Sequence, residues 1–256
     1  MSRIDGKICL ITGAGSGIGA ATAKVFAAAG GKLILADINA DAVQRMSQEI
    51  AGSRAITLDI SKSDQANAAV KNVIDTEGRL DVLIHFAGVD DPEIKKIFTG
   101  FLETGERLPV GSEITDAQWS RMIDINLSGT FFMMRAALRA MQPNNAGSIV
   151  TMSSIAGVEG VMGYAHYCAA KAGVIGLTRS LSKEFIQWGV RINTVAPDPV
   201  RSPMSSKTPK SLLPNLPIGR FAEPEEIAKA ALFLASDDAS YVSGETIILA
   251  PGRLSS

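Results

Sequence analysis

The chain has 256 residues, 46% hydrophobic and 20% charged, with 25 basic against 26 acidic side chains and a formal net charge of −1. That balance leaves no electrostatic footprint for nucleic acid or an anionic membrane, and no apolar run approaches the roughly 18 residues of a membrane span. Cys9 lies in an apolar run and Cys168 in a small-residue helix, so the expectation is buried reduced thiols, no metal site and a soluble, cytoplasmic protein.

Short β-branched apolar runs alternate with helical patterns along the chain. "KICLIT" (7–12) reads as a strand, and 15–29 as a helix ended by Gly30-Gly31. Strand 32–37 precedes helix 40–50; strand 55–60 precedes helix 63–77; "LDVLIHFAG" (80–88) contains a further strand. Later strands are 148–154, 191–197 and 244–250, with helices near 115–141, 165–187 and 224–235. Strands that are apolar on both sides, repeated in βα units, predict a single α/β domain: a doubly wound, Rossmann-like parallel sheet in three layers, αβα. The irregular stretch 89–114 is a long connection for such a fold. It reads either as an active-site lid or oligomer contact, or as a solvated surface insertion.

"TGAGSGIG" (12–19) follows the first strand and opens a helix. Gly13, Gly17 and Gly19 let the backbone turn sharply and approach a pyrophosphate, which the helix N-terminus then meets with free N–H groups and positive dipole. Asp37 ends the second strand about 20 residues on, where an acid would accept hydrogen bonds from an adenosine ribose and repel a 2′-phosphate. Neither Ser16 nor Ile38 supplies a cation to replace it, which favours NAD over NADP. Asp59 could border the adenine in the same way or cap the next helix.

Four features now combine: the glycine turn, Asn126 in "INLSG", Ser154 ending "SIVTMSS", and Tyr167 four positions before Lys171. In this order and at these spacings the chain resembles the short-chain dehydrogenase/reductase family over essentially its whole length. The resemblance implies hydride transfer between a nicotinamide ring and an alcohol or carbonyl carbon. It implies Tyr167 as acid/base, Ser154 orienting the substrate oxygen, Lys171 binding the nicotinamide ribose, and Asn126 holding a water in the proton relay. A free tyrosine titrates near 10, so the close Lys171 ammonium is expected to lower it. Cofactor contacts are expected from Gly13, Ser16, Gly17, Ile18, Gly19, Asp37, Asp59, Ile60, Ala87, Gly88, Tyr167, Lys171, Pro197, Val200 and Ser202. Tyr164, with six residues between it and Lys171, resembles the spacing of the family's enoyl-thioester reductase branch. The common glycine turn and Ser154 favour Tyr167, leaving Tyr164 as a pocket wall. His85 and His166 match no motif role, and His166, which should point away from Tyr167 on the helix, is assigned to packing.

Three positions depart from the family pattern. Phe86-Ala87-Gly88 stands where an asparagine usually precedes Ala-Gly, Pro197-Asp198 replaces Pro-Gly, and Ala250-Pro251-Gly252 replaces Asp-Gly-Gly. They motivate an alternative, a nucleotide-binding regulator that has lost catalysis; lyase or epimerase chemistry on the same fold is another. The helices through 127–141 and 167–181 carry more apolar surface than a sheet needs to cover, and the family's tetramers use these helices, so a homotetramer is expected. Val158, Met162, Tyr164, Met204 and the 89–114 stretch are the pocket candidates. Arg201 and Arg107 could clamp a carboxylate, but surface roles are expected of both. The expected substrate is a hydrophobic or cyclic secondary alcohol or ketone.

Overall fold

A computed structural model describes residues 3–105, 110–206 and 216–252, and only the backbone of 101–103. Its centre is a seven-stranded sheet, every adjacent pair parallel. The strands are β1 (Ile8–Thr12), β2 (Lys32–Asp37), β3 (Arg54–Thr57), β4 (Val82–His85), β5 (Gly147–Met152), β6 (Val190–Pro197) and β7 (Thr246–Leu249). They lie in the order β3-β2-β1-β4-β5-β6-β7. The chain therefore reverses its winding between β1 and β4, and a crevice opens there at the carboxyl ends of the strands.

The two-residue period of the strands builds two cores. Cys9 and Ile11 of β1 point to one face with Leu33, Leu35 and Ile84, under α1 (Gly17–Ala28), α2 (Ala40–Glu49) and later α10 (Pro224–Ala235). Ile8 and Leu10 point to the other with Ile34, Leu83 and Ile149, under α3 (Ser63–Glu77) and α7 (Gly129–Met141). This is the three-layer arrangement expected from the sequence, and no helix among the described residues is long and apolar enough to cross a membrane.

Three expectations need correction. The third strand stops at Thr57, leaving Asp59 and Ile60 beyond it. The helix expected near 115–141 is interrupted: α6 (Asp116–Ile123) runs into a π turn (Asp124–Ser128) before α7. The 89–114 stretch is mostly helical, comprising α4 (Pro92–Thr104) and α5 (Val110–Glu113). Asp91 caps α4, its Oδ1 accepting from the N–H groups of Glu93 (3.0 Å) and Ile94 (3.2 Å). Apolar residues at i, i+3 and i+4 (Ile94, Ile97, Phe98) form a third core with Val110 and Tyr164. A solvated insertion would not bury Ile94 to 2% exposure.

Candidate active site

α1 begins at the crevice. Gly13 has φ +71°, and a Cβ there would lie 2.8 Å from the Ala87 nitrogen, so β1 can meet the β4 loop only with glycine at this position. A Cβ on Gly19 would sit 2.0 Å from the Gly13 carbonyl oxygen. Ser16 precedes α1 in extended geometry and makes no side-chain cap bond, so its hydroxyl does not occupy the donors of the first turn. Asp37 closes the adjacent side: its Oδ2 accepts from Gly15 N and its Oδ1 from Asn39 N, both at 2.9 Å. Helix donors left without a side-chain cap, glycines packed against backbone and an acid at the end of β2 fit a dinucleotide.

Other expected contacts separate. Ile18, Gly88, Pro197, Val200 and Ser202 line one cavity of about 390 Å³ with Asn126, Ser154, Tyr167 and Lys171. Asp59 instead ties its own turn, accepting from Ser61 N (2.9 Å) and Ser61 Oγ (2.7 Å). Ile60 is buried in the second core, and Ala87 N donates to Thr12 Oγ1 at 3.2 Å. Of the pocket candidates, Tyr164 and Met204 line the cavity. Val158 and Met162 do not: they are 42% and 61% exposed. Arg201 forms an exposed ion pair with Glu223 at 2.9 Å, while Arg107 falls outside the described residues.

α9 (Ala165–Phe185) carries Tyr167 and Lys171 one turn apart on its cavity side. Ser154 follows β5, its Oγ accepting from Ala156 N at 3.2 Å and hydrogen-bonding the Tyr167 phenol. Lys171 Nζ donates to the Met152 carbonyl at 2.9 Å and lies 5.6 Å from the Tyr167 ring centroid. The expected lowering of the tyrosine is absent in the protein alone. Burial pushes Tyr167 up to about 12, against the opposing Ser154 bond, and pulls Lys171 down to about 8. Desolvation disfavours the charged form of each.

Asn126 sits in the π turn, fully buried. Its Oδ1 accepts from Val89 N and its Nδ2 donates to Val89 O, both at 3.1 Å. The side-chain amide thus imitates a strand partner and fixes where the 89–114 stretch leaves the sheet. A Cβ on Gly88 would lie 2.6 Å from Asn126 Oδ1 and 3.6 Å from Lys171 Nζ, so the two side chains converge on one glycine.

The departures have local solutions. Phe86 lines the cavity and packs on the first core. The bracing its missing amide would give comes from Thr12, whose Oγ1 meets His85 Nδ1 (2.9 Å) and Ala87 N on either side of Phe86. Burial holds His85 neutral, near a pKa of about 3. Asp198 lines the cavity, and its N–H donates to Leu249 O at 3.1 Å. Cys9 is buried as expected, but Cys168 is only partly so. His166 does more than pack: its Nε2 lies 3.2 Å from Asp91 Oδ2, joining α9 to the cap of α4. The 89–114 stretch, expected as a whole to contribute to the pocket, supplies Val89, Asp90, Lys95, Phe98 and Thr99 to the wall. The Ile94-Ile97-Phe98 spacing after Pro92 was the available signal for that helix.

Known proteins are similar to this chain over nearly its whole length. The model of a family described as enoyl-(acyl carrier protein) reductase matches residues 13–252. A 3-oxoacyl-[acyl-carrier-protein] reductase of Thermotoga maritima is 37% identical, covering 96% of each chain. A D-threitol dehydrogenase of Mycolicibacterium smegmatis is 35% identical, covering 98% of this chain and 94% of that one. Levodione reductase, a solved structure, is similar with TM-score 0.87 and 31% identity over 98% of each chain.

Proposed function

The chain belongs to the short-chain dehydrogenase/reductase family, and within it we propose an NAD(H)-dependent enzyme that interconverts a secondary alcohol and a ketone. The observation that carries the proposal is the meeting of Ser154, Tyr167 and Lys171 on one wall of a cavity at the winding reversal. When bound, the nicotinamide dinucleotide supplies the acceptor or donor of hydride. In oxidation, Tyr167 as phenolate takes the hydroxyl proton while the carbon bearing that hydroxyl loses its hydrogen as hydride; in reduction, its O–H gives a proton to the carbonyl oxygen. Ser154 donates a hydrogen bond to that oxygen and holds it at the tyrosine. Lys171 holds the nicotinamide ribose and adds positive charge beside Tyr167, and Asn126 holds the water that carries the proton onward.

Asp37 is the reason for NAD, since its carboxylate already faces the Gly15 N–H where a 2′-phosphate would add charge. Ile18, Phe86, Val89, Phe98, Met152, Val161 and Leu216 support an apolar, cyclic body for the substrate. The names of the relatives span acyl-carrier-protein thioesters and a polyol, so they leave the substrate open. A groove lined by Leu127, Phe131, Phe132, Gly173 and Leu177 supports a homotetramer. Light scattering that finds a monomer at micromolar concentration refutes that part.

The test is a panel of secondary alcohols and ketones, 3-oxoacyl thioesters and enoyl thioesters, run with NAD and NADP in both directions. Oxidation or reduction of an alcohol–ketone pair is expected. Tyr167→Phe should lower kcat/KM by about a thousandfold and Tyr164→Phe by less than about tenfold. Enoyl reduction that survives Tyr167→Phe and fails in Tyr164→Phe overturns the assignment. NADH binding without turnover of any member favours a regulator.

A further inference from the structure

We propose that the Asp90–Lys95 pair is a polar subsite that recognises a second, uncharged hydroxyl on the substrate. The inference rests on the dehydrogenase reading and narrows its substrate class. Asp90 lies just before α4 and Lys95 in its first turns. Both line the same cavity as Ser154 and Tyr167. Lys95 Nζ lies 3.2 Å from Asp90 Oδ2, with side-chain exposures of 15% and 20%. An ion pair is thus partly desolvated in the wall of an otherwise largely apolar chamber.

Their remaining valences decide what they can hold. An ammonium carries three protons; Lys95 gives one to Asp90 and one to the Met204 carbonyl. Asp90 Oδ1 accepts from Asp91 N at 2.8 Å and Oδ2 from Lys95, which leaves acceptor capacity on both oxygens. The wall therefore offers a donor and an acceptor side by side. A hydroxyl is both and satisfies both. A carboxylate would meet Lys95 but be repelled by Asp90, and an ammonium would meet the reverse. A plain hydrocarbon would strip water from the pair and return no hydrogen bond. Asp90 and Lys95 share this cavity wall with Tyr164 and Tyr167, so a substrate lying against Tyr167 can also reach the pair.

The experiment compares cyclopentanol with cyclopentane-1,2-diol and cyclopentane-1,3-diol, using the full chain with NAD. Wild type should favour one diol by about tenfold or more in kcat/KM. In Lys95→Met and Asp90→Asn that ratio should fall toward one. The ratio is internal to each protein, so a partial loss of folded enzyme does not alter it. Equal rates on alcohol and diols, both abolished in Tyr167→Phe, overturn the subsite and leave the dehydrogenase reading standing. Preference for 3-hydroxycyclopentane carboxylate over the diols also overturns it, because the wall then acts as a cation alone. If no alcohol of the wider panel is oxidised and no ketone is reduced, the dehydrogenase reading fails. Calorimetry with 2-hydroxycyclopentanone against cyclopentanone on the NADH-loaded protein then decides: a tenfold tighter hydroxyketone supports the subsite, and equal affinities overturn it.

Discussion

Replacing Lys171 by methionine exposes the free energy stored in a buried cation. Burial lowers this lysine from 10.5 to about 8. The unfolded chain therefore keeps the proton up to about 10.5, whereas the folded protein releases it near 8. Between those values the unfolded state binds more protons, so this group makes stability rise with pH. At 1.36 kcal/mol per pH unit, the gain between pH 7 and pH 10 is about 2–3 kcal/mol. Urea unfolding of wild type and Lys171→Met at both pH values, without cofactor and at fixed protein concentration, isolates it. The stability of wild type relative to the variant should increase by about 2–3 kcal/mol from pH 7 to pH 10. Loss of the Lys171 bond to the Met152 carbonyl is present at both pH values and cancels. A pH-independent difference refutes the reasoning, since it would mean that the folded protein does not perturb this ammonium.

Further substitutions test the surrounding geometry. Gly19→Ala forces a methyl to within 2.0 Å of the Gly13 carbonyl oxygen; a loss of more than about 3 kcal/mol in chemical denaturation is expected. Asn126→Ala removes both bonds to the Val89 main chain, and should cost about 1–3 kcal/mol of stability, read by thermal melting, together with activity. Asp37→Ala should narrow the preference for NADH over NADPH by about tenfold in fluorescence-titrated Kd, about 1.4 kcal/mol. An unchanged ratio would remove Asp37 from cofactor selection.

What the sequence disclosed, and what it concealed, follows from the range of the interactions. Strand identity in "KICLIT" and the turn in "TGAGSGIG" are local, set by β-branched runs and by glycine, and both stand in the structure. The spacing of Tyr167 and Lys171 is local too, because one helical turn fixes it. Their protonation was not legible. Burial by distant elements, including α4, decides it, and spacing alone suggested the opposite direction for the tyrosine. Asn126 was legible as a motif, but its π turn and its pairing with Val89 depend on a contact 37 positions away along the chain. The helix α4 could be read from Ile94, Ile97 and Phe98 only by setting aside the charges between them. Nothing local announces that Lys95 turns inward to Asp90 and Met204 rather than to water.

The pair at the centre of the cavity is thereby asymmetric. With Tyr167 held up to about 12 and Lys171 down to about 8, the residues of this chain favour a protonated phenol at neutral pH. A protonated phenol is ready to give its proton to a carbonyl oxygen, which is the acid role needed in reduction. To act as base it must first lose that proton against burial and the nearby Asp90 charge, and Lys171 alone does not compensate. Oxidation therefore depends on additional positive charge in the cavity, whereas reduction draws on the protonation state the fold already provides. Neutralising Asp90 should favour the phenolate, so Asp90→Asn should move the pH profile of alcohol oxidation toward lower pH. The same profile unmoved would show that Asp90 acts on substrate alone and not on the phenol.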